Sequence, residues 1–573
     1  MKQLLTRLFL VVIGSWVQAV TADALVQSQA LNASTIVQYF IDERGVRVEL
    51  EIGTDSIHEF KNLLPDTIYQ QLGDDDTPIA DRLKIFFNSE LAIFARGKPL
   101  PGFLTEIGPS RRVLRDPING TPLPIQDDAP HVIRAVLQYP FEQNHLPTEL
   151  IFLAPRAQDI GFVVYHKGVA VNDYRYLASG YSLTLDWDDP WYSSFNTRNL
   201  ARQYSAPMSG FIYVENFEVR KEIIVRPKDL QRWVDLGLAG RKDIPVELQA
   251  DIKQKVGEFL SQHHPVTING EPTQGILHSV NFLERTLNSS RVIDPPESLS
   301  LDAAIIGTIF IYPRNELPQT VVMDWDLWDD RIQRIPVSAV DQAGPLPSFL
   351  DPDWRQLEWT NYLKNPIVPT LNVIESPVES WRVMLSRLLP FFTALSGVAI
   401  FWLLINLRGH RSLPIPIGLA VLFVVASIAA VQLGGNNRPN VDRANAIVGD
   451  LLHNIYRAFD YREESDIYDV LATSVSGELL TDIFLETKRS LVLANQGGAE
   501  AKVKDVSLEL VEIQPNSSQG RFTVKADWTV HGSVGHWGHI HKRSNRYLAD
   551  LTVVVDGDQW KLQQMSVLQE ERL

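Results

Sequence analysis

The sequence predicts a multidomain α+β chain: two tandem duplicated β-sandwich-like domains with helical insertions, a two-helix transmembrane hairpin, and a carboxyl-terminal α+β cone. Three observations predict it. The region before residue 380 repeats itself at an offset of 173 residues, two long apolar stretches follow, and the last part runs from helical spacing into alternating strands. The expected segments are a signal peptide at 1–24, repeat domains at 25–195 and 196–380, a hairpin at 384–434 and the cone at 435–573.

The amino terminus is basic from Met1 to Arg7 and apolar from Leu8 to Val20, followed by Ala22-Asp23-Ala24. That order predicts a cleaved secretory signal, because the apolar run is too short to cross a bilayer core. The charge balance, 53 Lys plus Arg against 69 Asp plus Glu for a net charge of -16, argues against nucleic acid as a partner. Cys is absent, which removes thiol nucleophiles, disulfides and cysteine-held metals.

The duplication is read from ordered matches. Val46-Arg47-Val48-Glu49-Leu50 pairs with Val219-Arg220-Lys221-Glu222-Ile223, and Ile57, Phe60 and Leu63 pair with Leu230, Trp233 and Leu236. Gly97, Pro99 and Gly102 fall on Gly270, Pro272 and Gly275, Tyr139-Pro140 on Tyr312-Pro313, and Leu185-Asp186-Trp187 on Leu357-Glu358-Trp359. Each copy opens with an alternating strand, continues into a helical stretch with apolar residues three apart, and reaches a turn such as Arg96-Gly97-Lys98-Pro99. This unit faintly resembles the exported domain of hydrogenase- and urease-accessory, nickel-permease-like proteins. The multi-span permease part of that family has no counterpart here, so transport is not implied.

Leu388 to Leu407 and Leu413 to Leu433 contain no Asp, Glu, Lys or Arg and are each long enough to span a bilayer. They predict two transmembrane helices joined at Arg408-Gly409-His410-Arg411. Together with the signal they place the chain in a bacterial inner membrane, with the bilayer as a partner and both large regions on the periplasmic side.

After the linker Gly434 to Pro439, Ile447, Leu451, Leu452, Ile455 and Phe459 recur at helical spacing, and two shorter helical stretches follow toward Asn495. Strands then alternate through Val506, Leu508 and Leu510, and through Phe522, Val524, Ala526 and Trp528. Three helices, then an antiparallel sheet with Asp556-Gly557-Asp558 turning into Trp560-Lys561-Leu562, resemble the cone fold of nuclear transport factor and ketosteroid isomerase-like proteins. That family includes enzymes, binding modules and assembly domains, and the isomerase's carboxylates do not map onto this sequence.

The densest chemistry lies at His531 to His541. With regular alternation, Trp537, His539, His541, Arg543 and Tyr547 share the face that continues as Ala549, Leu551 and Val553. They form a candidate ligand face, and His536, His539 and His541 are candidate ligands of a divalent metal, the one cofactor these residues suggest. The competing reading is that these polar residues satisfy each other or the backbone. Asp186 to Tyr192 and Asp324 to Asp330 concentrate acids with aromatics, which fits a calcium or carbohydrate site or acidic strand ends with packed rings. His263-His264 reads as a solvated helix end. No phosphate loop, dinucleotide fingerprint, nucleophile elbow or His-Glu-x-x-His occurs.

The expectation is a membrane-anchored extracytoplasmic interaction or assembly protein without its own catalysis, with an envelope protein as partner. The alternatives are a metal- or ligand-handling accessory protein using the His539 and His541 face, and an enzyme working in the cone pocket.

Overall fold

A computed structural model describes the chain apart from residues 1–28, 73–76, 116–121, 126–128, 143–144, 156–158, 203–204, 286–289, 375–388, 408–420, 423, 426–427, 429–439, 462, 497–499, 515–519 and 537–538. Strand outweighs helix, 41% against 27%, in several separate sheets. The expected α+β balance is corrected accordingly. Part of the reason lies in the first repeat, where Ile57, Phe60 and Leu63 sit three apart. That spacing is the period of a 3₁₀ helix, and Thr54–Ser56 and His58–Leu63 are 3₁₀ pieces with a kink at Phe60.

Two compact units divide the chain, one over Ala22–Asn365 and one over Pro366–His536 and Ile540–Leu573. The first unit holds both repeats. Its opening hairpin, Ile36–Asp42 with Gly45–Ile52, puts Val37, Tyr39, Ile41, Val46, Val48 and Leu50 into one core, because alternate residues of a strand face the same side. Ile36 faces the other way and packs with Val163 and Tyr165. Gly161–His166 runs parallel to Ile36–Asp42, His131–Pro140 pairs antiparallel with Gly45–Ile52, and Phe103–Arg111 follows it.

The second repeat follows the same order. Met208–Val214 and Glu218–Val225 form the hairpin, Ile335–Asp341 lies parallel to the first of them, and Ile305–Pro313 then Ile276–Arg285 extend the other side. A smaller sheet faces each large one: Tyr181–Thr184, Glu149–Phe152, Ile93–Ala95 and Lys98–Pro99 in the first copy, and Gln356–Thr360, Thr320–Asp324, Val266–Ile268 and Glu271–Thr273 in the second.

Gly97 and Gly270 occupy the same turn, at φ of 74° and 83°. The left-handed backbone explains why glycine stands there in both copies. Trp187 and Trp359 are not equivalent. Leu183 pairs with Leu150 where Trp359 pairs with Val321, whereas Trp187 lies beyond its strand. Arg47 and Glu49 form an ion pair with Arg47 over the Phe40 ring, and Arg220 and Glu222 repeat it at 3.0 Å with Arg220 over Tyr213.

Among the described residues no helix is long and apolar enough to cross a membrane. Leu389–Leu407 is helical, and the residues directly before and after it lie outside the described ones. The transmembrane hairpin is therefore corrected, and the bilayer partner and the inner-membrane placement that rested on it fall too. The Arg408-to-Arg411 turn, most of Leu413 to Leu433 and the signal peptide lie outside the described residues.

The second unit contains the helices Val441–Arg457, Glu464–Ser474 and Glu478–Gln496, then four antiparallel strands in sequence order, Glu500–Ile513, Arg521–His536, His539–Asp556 and Gln559–Arg572. Asn440 caps the first helix by accepting from the Arg443 amide. Ile447, Val448, Leu451 and Ile455 turn inward against Phe522, Val524, Trp528, Leu551 and Val553.

Candidate functional site

The self-alignment places two core positions of the first repeat opposite ionisable groups in the second. Val48 corresponds to Lys221 and Leu91 to His264, and all four are buried. Lys221 sits on a core-facing strand position between Val219 and Ile223, so its ammonium enters the protein rather than solvent. It donates to the carbonyls of His263 at 3.1 Å and His264 at 2.9 Å, and lies 4.5 Å from the Phe310 ring centre. Burial pushes its amine down to about 7, against a weaker upward pull from Asp326.

His264 is held at φ 54°, a strained value for a side chain other than Gly, Asn or Asp. Its ring stacks on Trp325 at 3.9 Å, and its Nδ1 stands 3.1 Å from Asp326 Oδ1. Asp326 Oδ2 also meets His263 Nδ1 at 2.9 Å and Oδ1 accepts from the His264 amide. Burial drives the His264 imidazole down to about 4, so it is neutral at pH 7. Burial works the other way on Asp326, but its contacts with the two histidines prevail and hold it below the usual carboxylate range.

The pair expected as a solvated helix end is thus half inside the protein, tied to an acid from the second acid-aromatic motif. Both Nδ1 atoms converge on one carboxylate, not on a shared empty point. Among the described residues no group of three His, Cys, Asp or Glu is arranged to hold a metal ion. The cluster closes a strained turn with polar groups. The signal that reveals it is a lysine interrupting the alternation Val219, Lys221, Ile223.

The first acid-aromatic motif lies where the repeats meet. Asp189 receives the Arg226 guanidinium at 3.0 and 3.2 Å, Arg226 also reaches Asp229 at 2.6 Å, and the Tyr192 hydroxyl donates to Asp229 at 2.7 Å. Arg226 lies over the Trp191 ring. Burial raises Asp189, but Arg226 outweighs it and its carboxyl stays ionised. In the second motif Asp329 binds Arg232 and the amides of Arg331 and Ile332. These carboxylates serve protein cations and backbone donors, which supports the packed strand-end reading over a calcium or carbohydrate site. Nearby, His166 is fully buried, bonded through Nδ1 to Ser193 Oγ at 2.7 Å, and driven by burial to about 4.

Of the predicted ligand face, Tyr547 is buried, stacked on Trp528 with ring centres 5.4 Å apart, and accepts from Asn545 at 3.1 Å. Burial pushes its hydroxyl far up, so it remains protonated. His536 ends one strand, and His539, His541 and Arg543 lie on the next. The placement of their side chains, and Trp537 altogether, lies outside the described residues.

One open feature stands out against these closed clusters. A groove of about 550 Å³ in the first repeat is lined by Leu83, Phe87, Leu100, Phe103 and Leu104. Phe103 and its counterpart Ile276 are 49% and 62% exposed, each directly after the matched glycine, Gly102 or Gly275. A side chain at Gly102 would strike the Phe87 ring, so glycine keeps that wall in place.

No family model matches the chain. No curated protein matches it either. Among solved structures it is similar to the intermembrane space region of the chloroplast protein ARC6, at 20% identity over 23% of this chain and 98% of that one, with a TM-score of 0.17. A score that low carries no argument about fold or function.

Proposed function

We propose that this chain is an interaction and assembly protein without catalysis of its own, working through its duplicated repeats. The observation that carries the reading is the pair of exposed apolar residues, Phe103 and Ile276, at the same place in both copies. Exposed apolar residues gathered into a patch mark contact surfaces for other proteins, as Phe103 is with its groove neighbours and Ile276 with the exposed Leu277. The perturbed ionisable groups support the reading from the other side, because the Lys221 amine and the terminal nitrogens of Arg226 are engaged by carbonyls and carboxylates of the fold itself. The order of three helices and four antiparallel strands supports the likeness of the carboxyl-terminal domain to the nuclear transport factor cone.

The test compares the full chain with the double variant Phe103→Asp, Ile276→Asp. The reading expects a partner identified by crosslinking from native cells to be lost at least tenfold in the variant, while its circular dichroism and melting temperature match the parent. Equal recovery by both proteins overturns it. The rival, a divalent metal on the His536, His539 and His541 face, is separated by elemental analysis of the purified protein.

A further inference from the structure

The helix Val441–Arg457 carries a buried carboxamide, Asn454, on its inward side. Both ends of that amide are engaged by one backbone residue of a distant segment: the Asn372 amide donates to Asn454 Oδ1 at 2.7 Å, and Asn454 Nδ2 donates to the Asn372 carbonyl at 3.1 Å. This two-way clamp recognises an extended peptide unit whatever side chain it bears. One helical turn earlier, Asp450 accepts from the Asn372 side chain at 2.8 Å, and His453 meets the Thr370 carbonyl at 3.1 Å. Positions 450, 453 and 454 share a helix face because residues three and four apart are neighbours. Two residues past the clamp, Ile374 enters the domain's apolar core beside the helix's own residues, while Val373 between them is 90% exposed.

We propose that this helix face is a peptide-recognition site for extended segments of the form Asn, any residue, then a branched aliphatic residue, and that residues 370–374 occupy it in cis. The clamp selects an extended backbone, Asp450 selects a side-chain donor at the first position, and the core opening selects Ile or a similar residue two places later. Val373 faces away and is not read. The ligand class is therefore a partner's extended Asn-x-aliphatic segment, which competes with the chain's own. A buried Asn left without partners is costly, so the site requires some such peptide.

The inference rests on the interaction reading and adds a partner chemistry to it. A fluorescein-labelled peptide of residues 368–376 is titrated by anisotropy into three full-length proteins: the parent, the strap variant Asn372→Ala with Ile374→Asp, and that variant also carrying Asn454→Ala. The strap variant is expected to bind saturably, the parent at least tenfold more weakly, and the triple variant at least tenfold more weakly than the strap variant. Absent binding to a strap variant that melts like the parent, or binding indifferent to Asn454, overturns the proposal. Should the strap variant fail to fold, hydrogen exchange on the parent decides: excess peptide is expected to speed exchange at the Asn372 amide, and unchanged exchange overturns it. Formation of dimers by the parent on concentration, with no displacement by peptide, identifies a second copy as the occupant and also overturns it. A loss here with partner recovery still sensitive to Phe103 leaves the interaction reading standing.

Discussion

Lys221 caps the backbone of His264: its Nζ donates to that carbonyl at 2.9 Å, at the position where the first repeat has the Tyr139 hydroxyl donating to the carbonyl of Leu91. Two repeats therefore satisfy one buried carbonyl by different chemistry. The tyrosine solution is neutral throughout the physiological range, whereas the lysine solution titrates.

Lys221 has a folded value of about 7 against an ordinary 10.5, so between those limits the unfolded chain binds more protons and stability rises with pH. Lys221→Met removes that contribution and leaves two carbonyls without their donor, a loss of about 1–3 kcal/mol. Urea unfolding at pH 7 and pH 10 is expected to show the parent gaining on the variant as pH rises. Parallel curves would mean that the amine is not held in its neutral range.

His264 and His166 both sit at about 4 against an ordinary 6.5. The unfolded chain takes up protons first, so the stability these residues lend is full above about pH 6.5 and is lost as pH falls toward 4, up to about 3 kcal/mol each. His264→Asn keeps a residue that tolerates the left-handed backbone, and should flatten the loss measured by denaturant midpoint across that window by roughly half. An unchanged slope excludes His264 as its source.

At the junction of the repeats, Asp229→Ala removes one of the two carboxylates that hold the fully buried Arg226 and the acceptor of Tyr192, while Asp189 keeps its contact with the guanidinium. With Asp189 still paired to Arg226, the loss is about 1–3 kcal/mol, that of unmade buried hydrogen bonds. Arg226→Met instead leaves both Asp189 and Asp229 buried without their shared cation and is expected to cost more, about 3–5 kcal/mol, which urea unfolding of the two single variants checks. An Arg226→Met loss no larger than that of Asp229→Ala would show that solvent reaches the junction.

The alternating strand through Val46, Val48 and Leu50 and the matched turn at Gly97 and Gly270 were legible because alternation and left-handed glycine are local signals, whereas the partner strand Ile36–Asp42 was not read. The inward parity of Tyr547 with Ala549, Leu551 and Val553 was legible too. The Trp187 and Trp359 match failed because similar residues were paired by chemistry, while strand register makes Leu183 the counterpart of Trp359. Spacing of three at Ile57, Phe60 and Leu63 does not separate a 3₁₀ turn from an α-helix. The Lys221 cluster was written into the self-alignment, opposite Val48 and Leu91, but its meaning depends on Asp326 approaching from another strand. Asn454 gave no sequence signal, since a polar residue within an amphipathic helix reveals a partner only once Asn372 is brought to it.

The parallel ladder between Ile36–Asp42 and Gly161–His166 has a consequence for synthesis. On the ribosome, the first strand emerges long before its neighbour on one side, and only the Gly45–Ile52 hairpin partner is at hand. Until Gly161 to His166 has left the exit tunnel, the strand keeps an open edge, and Met208–Val214 faces the same wait for Ile335–Asp341. Because the two copies are alike in strand order, the early strand of one can meet the late strand of the other. Mispairing between repeats during translation is thus the kinetic hazard that this duplication brings, and a chaperone that shields the first hairpin should raise the yield of native protein.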